Sequence, residues 1–387
     1  MVYLDNSATT KQYDQVNKVM LAAMENSFGN PSSLHSLGLV AEKEVRIARR
    51  TFAASLGVSE DEVYFNSGGT EGDNSVLFGV AEGRKRAGNK IITSAVEHPA
   101  VLEACKKLEH QGFDVVYIGV DDKCRLNMDQ LKNEMDENTI LISIMSVNNE
   151  TGTIMPIREI AELRGAASSP LIHSDCVQGY SKIKLQNIGA DLITVSGHKI
   201  HGPKGVGGLY IKKGITLPSY LVGGGQERHQ RSGTENVPGI IGLGKAVEIA
   251  MEGFDARVKA MNTARNTLLD GIKAEIKDIK INSIEETGNM PGLSAPSVLN
   301  ISFLGTRGEV ILHTLEQDQI YVSTGSACSS NKKGVSHVLT AMGLKDKEIE
   351  GAIRFSFSEF NTVEQMEYVV EKTKNAVNKF RKLGSYR

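Results

Sequence analysis

Between Glu62 and Ile211, short β-branched apolar runs alternate with helix-length amphipathic segments. That alternation restricts the possible folds more than any single residue does. Glu62-Val63-Tyr64-Phe65, Lys90-Ile91-Ile92-Thr93, Asp114 to Val120, Ile140 to Val147, Leu171-Ile172-His173, Ala190 to Val195 and Gly207 to Ile211 read as strands. A helix follows Glu71 and runs to about Ala87, and further helices fall at 98–111, 126–135 and 157–164. Strands that are apolar on both faces and separated by helices pair in parallel, with helices over both faces. The expected class is therefore α/β. Upstream, 14–26 and 36–56 have helical spacing, the second ending at Gly57 as its C-cap. A helical stretch at 240–277, broken near Gly253, leads out of the large domain. Beyond it, Val298 to Phe303 and Ile353 to Phe357 alternate as half-exposed strands do, with helices near 307–317, 336–342 and 362–383. This predicts a smaller α+β domain, and 387 residues suit a large domain plus a small one.

Parallel sheets bind ligands at the carboxyl ends of their strands. Ser67-Gly68-Gly69-Thr70 lies between a strand and a helix. Glycines there let N–H groups approach an anion, and the helix N-terminus favours negative charge. An ordinary Ser/Thr helix cap is the alternative. Asp175 ends a strand and Gln178 follows it. A carboxylate so placed can pair with a protonated ring nitrogen, and a solvated turn aspartate is the alternative. Ser196-Gly197-His198-Lys199 follows the strand 190–195. A lysine where a buried strand runs out is costly unless it is partnered or gives up its charge in a Schiff base. Arg228 and Arg231, beside Ser232-Gly233-Thr234, read as an anion-facing loop, with a solvated basic loop as the alternative. A phosphate site, a carboxylate for a pyridinium nitrogen and a Schiff-base lysine together meet the needs of pyridoxal 5'-phosphate (PLP). No GxGxxG follows a first strand, so a dinucleotide fingerprint is unsupported.

A net charge of −2 provides no basic field for nucleic acid or acidic lipid. Met1 to Asn6 has neither the basic nor the apolar region of a signal peptide, and no apolar run reaches the length of a membrane span. The four cysteines are scattered without a CxxC pair, which argues against a metal site and a disulfide framework. The expectation is a cytoplasmic enzyme with reduced thiols. Cys105 sits on an apolar helix face with Val101 and Leu108, whereas Cys124, among Asp121, Asp122, Lys123 and Arg125, reads as surface. Cys328 lies in a small-residue loop without apolar periodicity, which favours exposure.

From Tyr3-Leu4-Asp5-Asn6-Ser7-Ala8-Thr9-Thr10 to its last helix, the chain resembles the cysteine desulfurases of the NifS/IscS type, within the class V aminotransferase-like group. The motifs that carry the resemblance are Gly29-Asn30-Pro31-Ser32-Ser33, Ser67 to Glu71, Glu97-His98, Val147 to Gly152, Asp175 with Gln178, Ser196 to Lys199, Arg231 to Thr234, Gly325-Ser326-Ala327-Cys328 and Ile353-Arg354-Phe355-Ser356. The resemblance implies a PLP-dependent transferase of fold type I. Its large PLP-binding domain, at 15–255, would hold a mostly parallel seven-stranded sheet. Residues 1–14 and 256–387 would form the small domain, carrying a mobile cysteine loop at about 323–336 of the long-loop group. It also implies a homodimer with two sites at the subunit interface.

Roles follow from the same resemblance. Lys199 would hold the cofactor and move protons, and Asp175 would pair with the ring nitrogen. His98 would stack on the ring and assist acid–base steps, and Gln178 would reach the phenolic oxygen. Thr70, Ser196 and His198 would bind the phosphate with the Gly69 region closing round it, and Thr234 would arrive from the other subunit. Asn149 and Arg354 would hold the substrate carboxylate. Cys328 would take sulfur from L-cysteine as a persulfide, leaving L-alanine. An acceptor protein, either an iron–sulfur scaffold or a sulfurtransferase for tRNA or thiocofactor synthesis, would then receive the sulfur. A selenocysteine lyase or another PLP-dependent C–S lyase is the nearest alternative, and a nicotinamide-dependent oxidoreductase is one of another class. The chain departs from the family pattern at Cys176, where alanine is usual, and at Lys332-Lys333-Gly334-Val335, where housekeeping members are acidic and carry proline. It also ends at Arg387, short of the tail with which such members dock a scaffold protein.

Overall fold

A computed structural model describes residues 1–167, 169–285, 292–324 and 335–384. Strand β1 (Val2–Tyr3) opens the chain. The large sheet holds β2 (Val63–Asn66), β3 (Lys90–Ser94), β4 (Asp114–Ile118), β5 (Thr139–Ser143), β6 (Leu171–Asp175), β7 (Leu192–Ser196) and β8 (Gly207–Ile211). The rest of the chain adds β9 (Ile279–Ile281), β10 (Val298–Phe303), β11 (Ile320–Tyr321) and β12 (Ala352–Ser356).

The seven-stranded sheet runs in the order β2-β8-β7-β6-β5-β3-β4. Only β8 opposes its neighbours, pairing antiparallel with both β7 and β2. Every residue of β5, β6, β7 and β8 is buried, as two covered faces require. One face packs against helices Asp14–Asn26, Ser36–Leu56 and Val237–Glu252 through Val16, Val45, Phe52, Leu243 and Val247. The other packs against Gly69–Arg84 and Pro99–His110 through Val76, Leu77, Val101 and Leu108. The helix Ser36–Leu56 stops at Gly57, whose φ of 71° is left-handed and strained for a residue with a Cβ. The run from Ile140 is strand only to Ser143, and Ile144 to Val147 continue as a buried loop at the sheet's carboxyl edge.

After the break at Gly253, the helix Phe254–Glu275 leads to a three-stranded antiparallel sheet in the order β12-β10-β9. That helix, Gly308–Gln317 and Val363–Gly384 share a core of Leu268, Leu315, Val369, Phe303 and Phe355. The N-terminus joins the same core: β1 pairs in parallel with β11, and Val2 and Leu4 are buried there.

The expectation that β10 and β12 are half-exposed fails, since every residue of both is buried. Their polar residues face protein instead of water. Asn300 donates to the Glu150 carbonyl (3.1 Å), and Arg354 donates to the Asn149 carbonyl (3.1 Å) and to Asp5 Oδ1 (2.8 Å). The alternation thus marks a polar face pressed against loops at the end of the large sheet. Among the described residues, no helix is long and apolar enough to cross a membrane.

Candidate active site

The carboxyl ends of β6 and β7 open into a cavity of about 240 Å³. Gly69, Thr70, His98, Asn149, Asp175, Gln178, Ser196, His198, Lys199 and Arg354 all line it, together with Ser7, Ala8, Asp73 and Val177. The structure thus brings ten of the twelve sequence-predicted site residues to one place.

The turn after β2 is built to approach its neighbours closely. Asn66 Oδ1 accepts from the Gly68 N–H (3.0 Å), and Gly68 has a φ of 142°. A Cβ at Gly69 would sit 2.8 Å from Val177 Cγ2, and one at Gly207 would sit 2.7 Å from Gly68 Cα. The first N–H groups of helix Gly69–Arg84 lack partners within the helix, so a phosphate at this end would meet donors and a favourable dipole.

Asp175 ends β6, and its Oδ1 accepts from the Val177 N–H (2.8 Å). Burial pushes its carboxyl up to about 6, against the pull of that N–H and of Lys199. A cationic ring nitrogen would supply the partner that a buried carboxylate needs. Gln178 donates from Nε2 to the Ser7 carbonyl (2.9 Å), while its buried Oε1 has no hydrogen-bond partner among the described residues. Lys199 follows β7 in a single 3-10 turn, and its Nζ donates to the Ser7 carbonyl and to the Ala8 carbonyl (2.9 Å).

His98 caps helix Pro99–His110: its Nδ1 accepts from the Ala100 N–H (3.2 Å). In the neutral ring the proton therefore sits on Nε2. Burial, with Lys199 nearby, lowers its pKa to about 4, so the ring is neutral at pH 7. His198, with Nδ1 3.1 Å from Thr9 Oγ1, is lowered to about 4 for the same reasons. Orphaned polar atoms, an anion-facing turn, a buried carboxylate and a lysine in one cavity fit PLP.

Of the other two predicted residues, one is placed away from the cavity and one is not described. Thr234 lines a separate cleft with Ser67 and Arg231, away from the Lys199 cavity of its own chain. Cys328 falls at 325–334, outside the described residues. The expected anion-facing loop is also corrected, because both its arginines are already engaged. Arg231 pairs with Glu71 (2.9 Å), and Arg228 donates to the Val63 carbonyl (2.5 Å) and lies over the Tyr64 ring. Cys124 is not surface: it is buried at φ 61°, packed near Leu126 and Val338. The chain turns there, so the thiol points inward while Arg125 and Asp121 pair outside. Cys176 packs in the core beside Tyr180, and burial pushes both thiols up to about 12.

The motif reading missed Asp73 and Lys182. Lys182 is buried, donates to the Lys199 carbonyl (3.2 Å), and is lowered to about 7 by desolvation and by Lys199. Neither carries a local sequence signal, since each reads as a helix-face or turn charge.

The Aminotransferase class-V family profile matches residues 2–369. The chain is 42% identical over 385 residues to a protein named cysteine desulfurase IscS from Methanosarcina thermophila, covering 99% of this chain and 93% of that one. It is 41% identical over 372 residues to a cysteine desulfurase IscS from Clostridium botulinum, covering 96% and 92%. Among solved structures, a NifS-like protein superposes with a TM-score of 0.90 at 38% identity, covering 97% of this chain and 99% of that one. A protein called SspA, solved in complex with cysteine, superposes with a TM-score of 0.80 at 31% identity, covering 94% and 100%. The chain belongs to the aminotransferase class-V family, in the branch that holds the cysteine desulfurases of the IscS and NifS type.

Proposed function

We propose that this chain is a PLP-dependent cysteine desulfurase that converts L-cysteine to L-alanine and transfers the sulfur to Cys328. The observation that carries the reading is the meeting of Lys199, Asp175, His98 and Arg354 in one cavity. PLP bound through Lys199 supplies an electron sink for the substrate Cα. Thr70, Ser196, His198 and the Gly69 N–H region would hold its phosphate, Asp175 would pair with its ring nitrogen, and Gln178 would reach its phenolic oxygen. Arg354 and Asn149 bind the substrate carboxylate, the guanidinium by a fork that lysine cannot reproduce. The Lys199 amine takes the Cα proton, and His98 holds a proton at Nε2 for return to the substrate.

The Cys328 sulfur then forms an S–S bond with the substrate sulfur as the substrate Cβ–S bond breaks. The electron pair left on Cβ takes a proton, so L-cysteine and one thiol become L-alanine and one persulfide. The role of Cys328 rests on the sequence motif. The persulfide passes to an acceptor protein, an iron–sulfur scaffold or a tRNA or thiocofactor sulfurtransferase, in the cytoplasm. Residues 15–255 act as the PLP-binding domain, and 1–14 with 256–387 as the small domain. The working form is a homodimer in which Thr234 reaches the phosphate of the second subunit. Phe28, Leu34 and Leu39 are exposed around the start of helix Ser36–Leu56, Leu34 by 95%, which supports burial against a second copy.

The test is to supply L-cysteine and quantify alanine and protein persulfide in the parent and in Cys328→Ala. The variant should change the cofactor absorbance on adding cysteine yet form no persulfide. Unimpaired sulfur release by the variant overturns the reading, and unimpaired selenide release from selenocysteine would favour a selenocysteine lyase.

A further inference from the structure

Asp73 lies on helix Gly69–Arg84, one turn beyond the proposed phosphate end, and lines the same cavity as Asp175. It is 1% exposed, no donor stands in full hydrogen-bond geometry to either carboxyl oxygen among the described residues, and the Thr194 hydroxyl on β7 is the hydrogen-bonding group that acts on it. Its closest basic neighbour is His173 on β6, with Nε2 3.6 Å from Asp73 Oδ1. That histidine is already engaged, by Ser143 Oγ at Nδ1 (2.8 Å) and by Thr194 Oγ1 at Nε2 (3.0 Å). Complete burial keeps it neutral. The other titratable groups acting on this spot are Asp175 from β6 and Glu97 from the turn before helix Pro99–His110. Lys199 pulls on Asp175.

Two carboxylates buried in one site do not both ionise unless each has its own donors. Asp175 has the Val177 N–H and the pull of Lys199, whereas the donor that acts on Asp73 is the Thr194 hydroxyl, which it shares with His173. The site's negative charge therefore belongs on Asp175 and its proton on Asp73. Burial and the neighbouring Asp175 raise the Asp73 pKa well above its ordinary value, against the pull of the Thr194 hydroxyl, in the same sense.

We propose that Asp73 is a positioning residue for the cofactor: a neutral carboxylic acid that fills the floor of the cavity, excludes water from it and confines the charge to Asp175. Water admitted beside Asp175 would raise the local dielectric and weaken its grip on a ring cation. An ionised Asp73 would instead compete with Asp175 for that cation. This inference rests on the PLP reading above.

The test compares the full-length parent with Asp73→Asn and Asp73→Ala, before and after cofactor removal. Asp73→Asn should remove one C=O stretch of a protonated carboxylic acid from the infrared spectrum at pH 7, in both forms. It should leave PLP affinity and the pH midpoint of the cofactor absorbance as in the parent. Asp73→Ala, which opens the floor to water, should weaken PLP binding about tenfold and shift that midpoint. If Asp73→Asn removes no protonated-acid band, or shifts the midpoint by about one pH unit, Asp73 is ionised and the proposal falls. If a folded Asp73→Ala binds PLP like the parent, the positioning role falls. Should the parent bind no PLP at all, the function reading fails, while the infrared result still reports the charge on Asp73.

Discussion

The paired strands β6 and β7 and the paired strands β10 and β12 are all buried end to end, yet they deliver their polar groups in opposite ways. The parallel pair carries its charges at the carboxyl end, Asp175 as the last residue of β6 and Lys199 just past β7. The antiparallel pair carries them mid-strand, Asn300 opposite Arg354 in register. Helices cover both faces of the large sheet, so a charge survives only where a strand stops. One face of the small sheet meets loops that offer carbonyls and a carboxylate, so a charge survives in its middle. The first arrangement leaves Lys199 exposed to chemistry. The second ties Arg354 into the structure before any substrate arrives.

Lys199→Ala should break function most and stability least. Alanine formation should fall by about 10³-fold or more, with the protein's yellow colour lost and its urea midpoint little changed. A large fall in the midpoint would remove the contrast with Arg354. Arg354→Ala should do both kinds of damage. It leaves Asp5 and the Asn149 carbonyl without their partner, at a cost of about 3 kcal/mol in chemical denaturation. Arg354→Lys should retain more stability but raise KM for L-cysteine about tenfold or more, because one ammonium cannot replace a fork.

The pH dependence of stability probes the same seam. Burial raises Glu150 to about 7, and its Oε2 accepts from Ser336 Oγ (2.6 Å). The folded state therefore holds this proton more tightly than the unfolded chain, and the group costs stability as pH rises from the ordinary carboxylate range through about 7. His98 and His198, lowered to about 4, contribute the opposite slope between about 4 and their ordinary value. Only a difference between parent and variant isolates Glu150. Glu150→Gln should flatten the fall in denaturation free energy between pH 5 and 7, and an unchanged slope would place the charge elsewhere. The smallest effect concerns thiols. Cys105, Cys124 and Cys176 are buried and should resist a thiol reagent in the native protein, and Cys124→Ala should cost about 1 kcal/mol. Labelling of native Cys124 would return it to the surface.

Most of the large sheet was legible because its strands are apolar on both faces and its helices end at marked positions, such as Gly57 and Gly253. Lys199 and Asp175 were legible for the same reason, since each follows or ends a run that cannot otherwise carry charge. The small sheet was misread because a period of two says which residues share a face, not whether water or protein covers it. Arg228 and Arg231 were misread because a cation's partner, here a carbonyl and Glu71, lies far along the chain. Cys124 was misread because its neighbours are charged while a left-handed turn aims the thiol inward.

The sequence by itself determined the α/β class, the alternation that puts a lysine and an aspartate at adjacent strand ends, and the family motifs around them. These are local properties, set by side-chain period and by what each strand can bury. Only the tertiary structure decided that Asp5 and the Asn149 carbonyl hold Arg354 in advance, that Asp73 shares a cavity with Asp175, and that Lys182 reaches the Lys199 carbonyl. Burial and pairing between residues tens to hundreds of positions apart depend on which surfaces the folded chain closes together, and no local pattern records that.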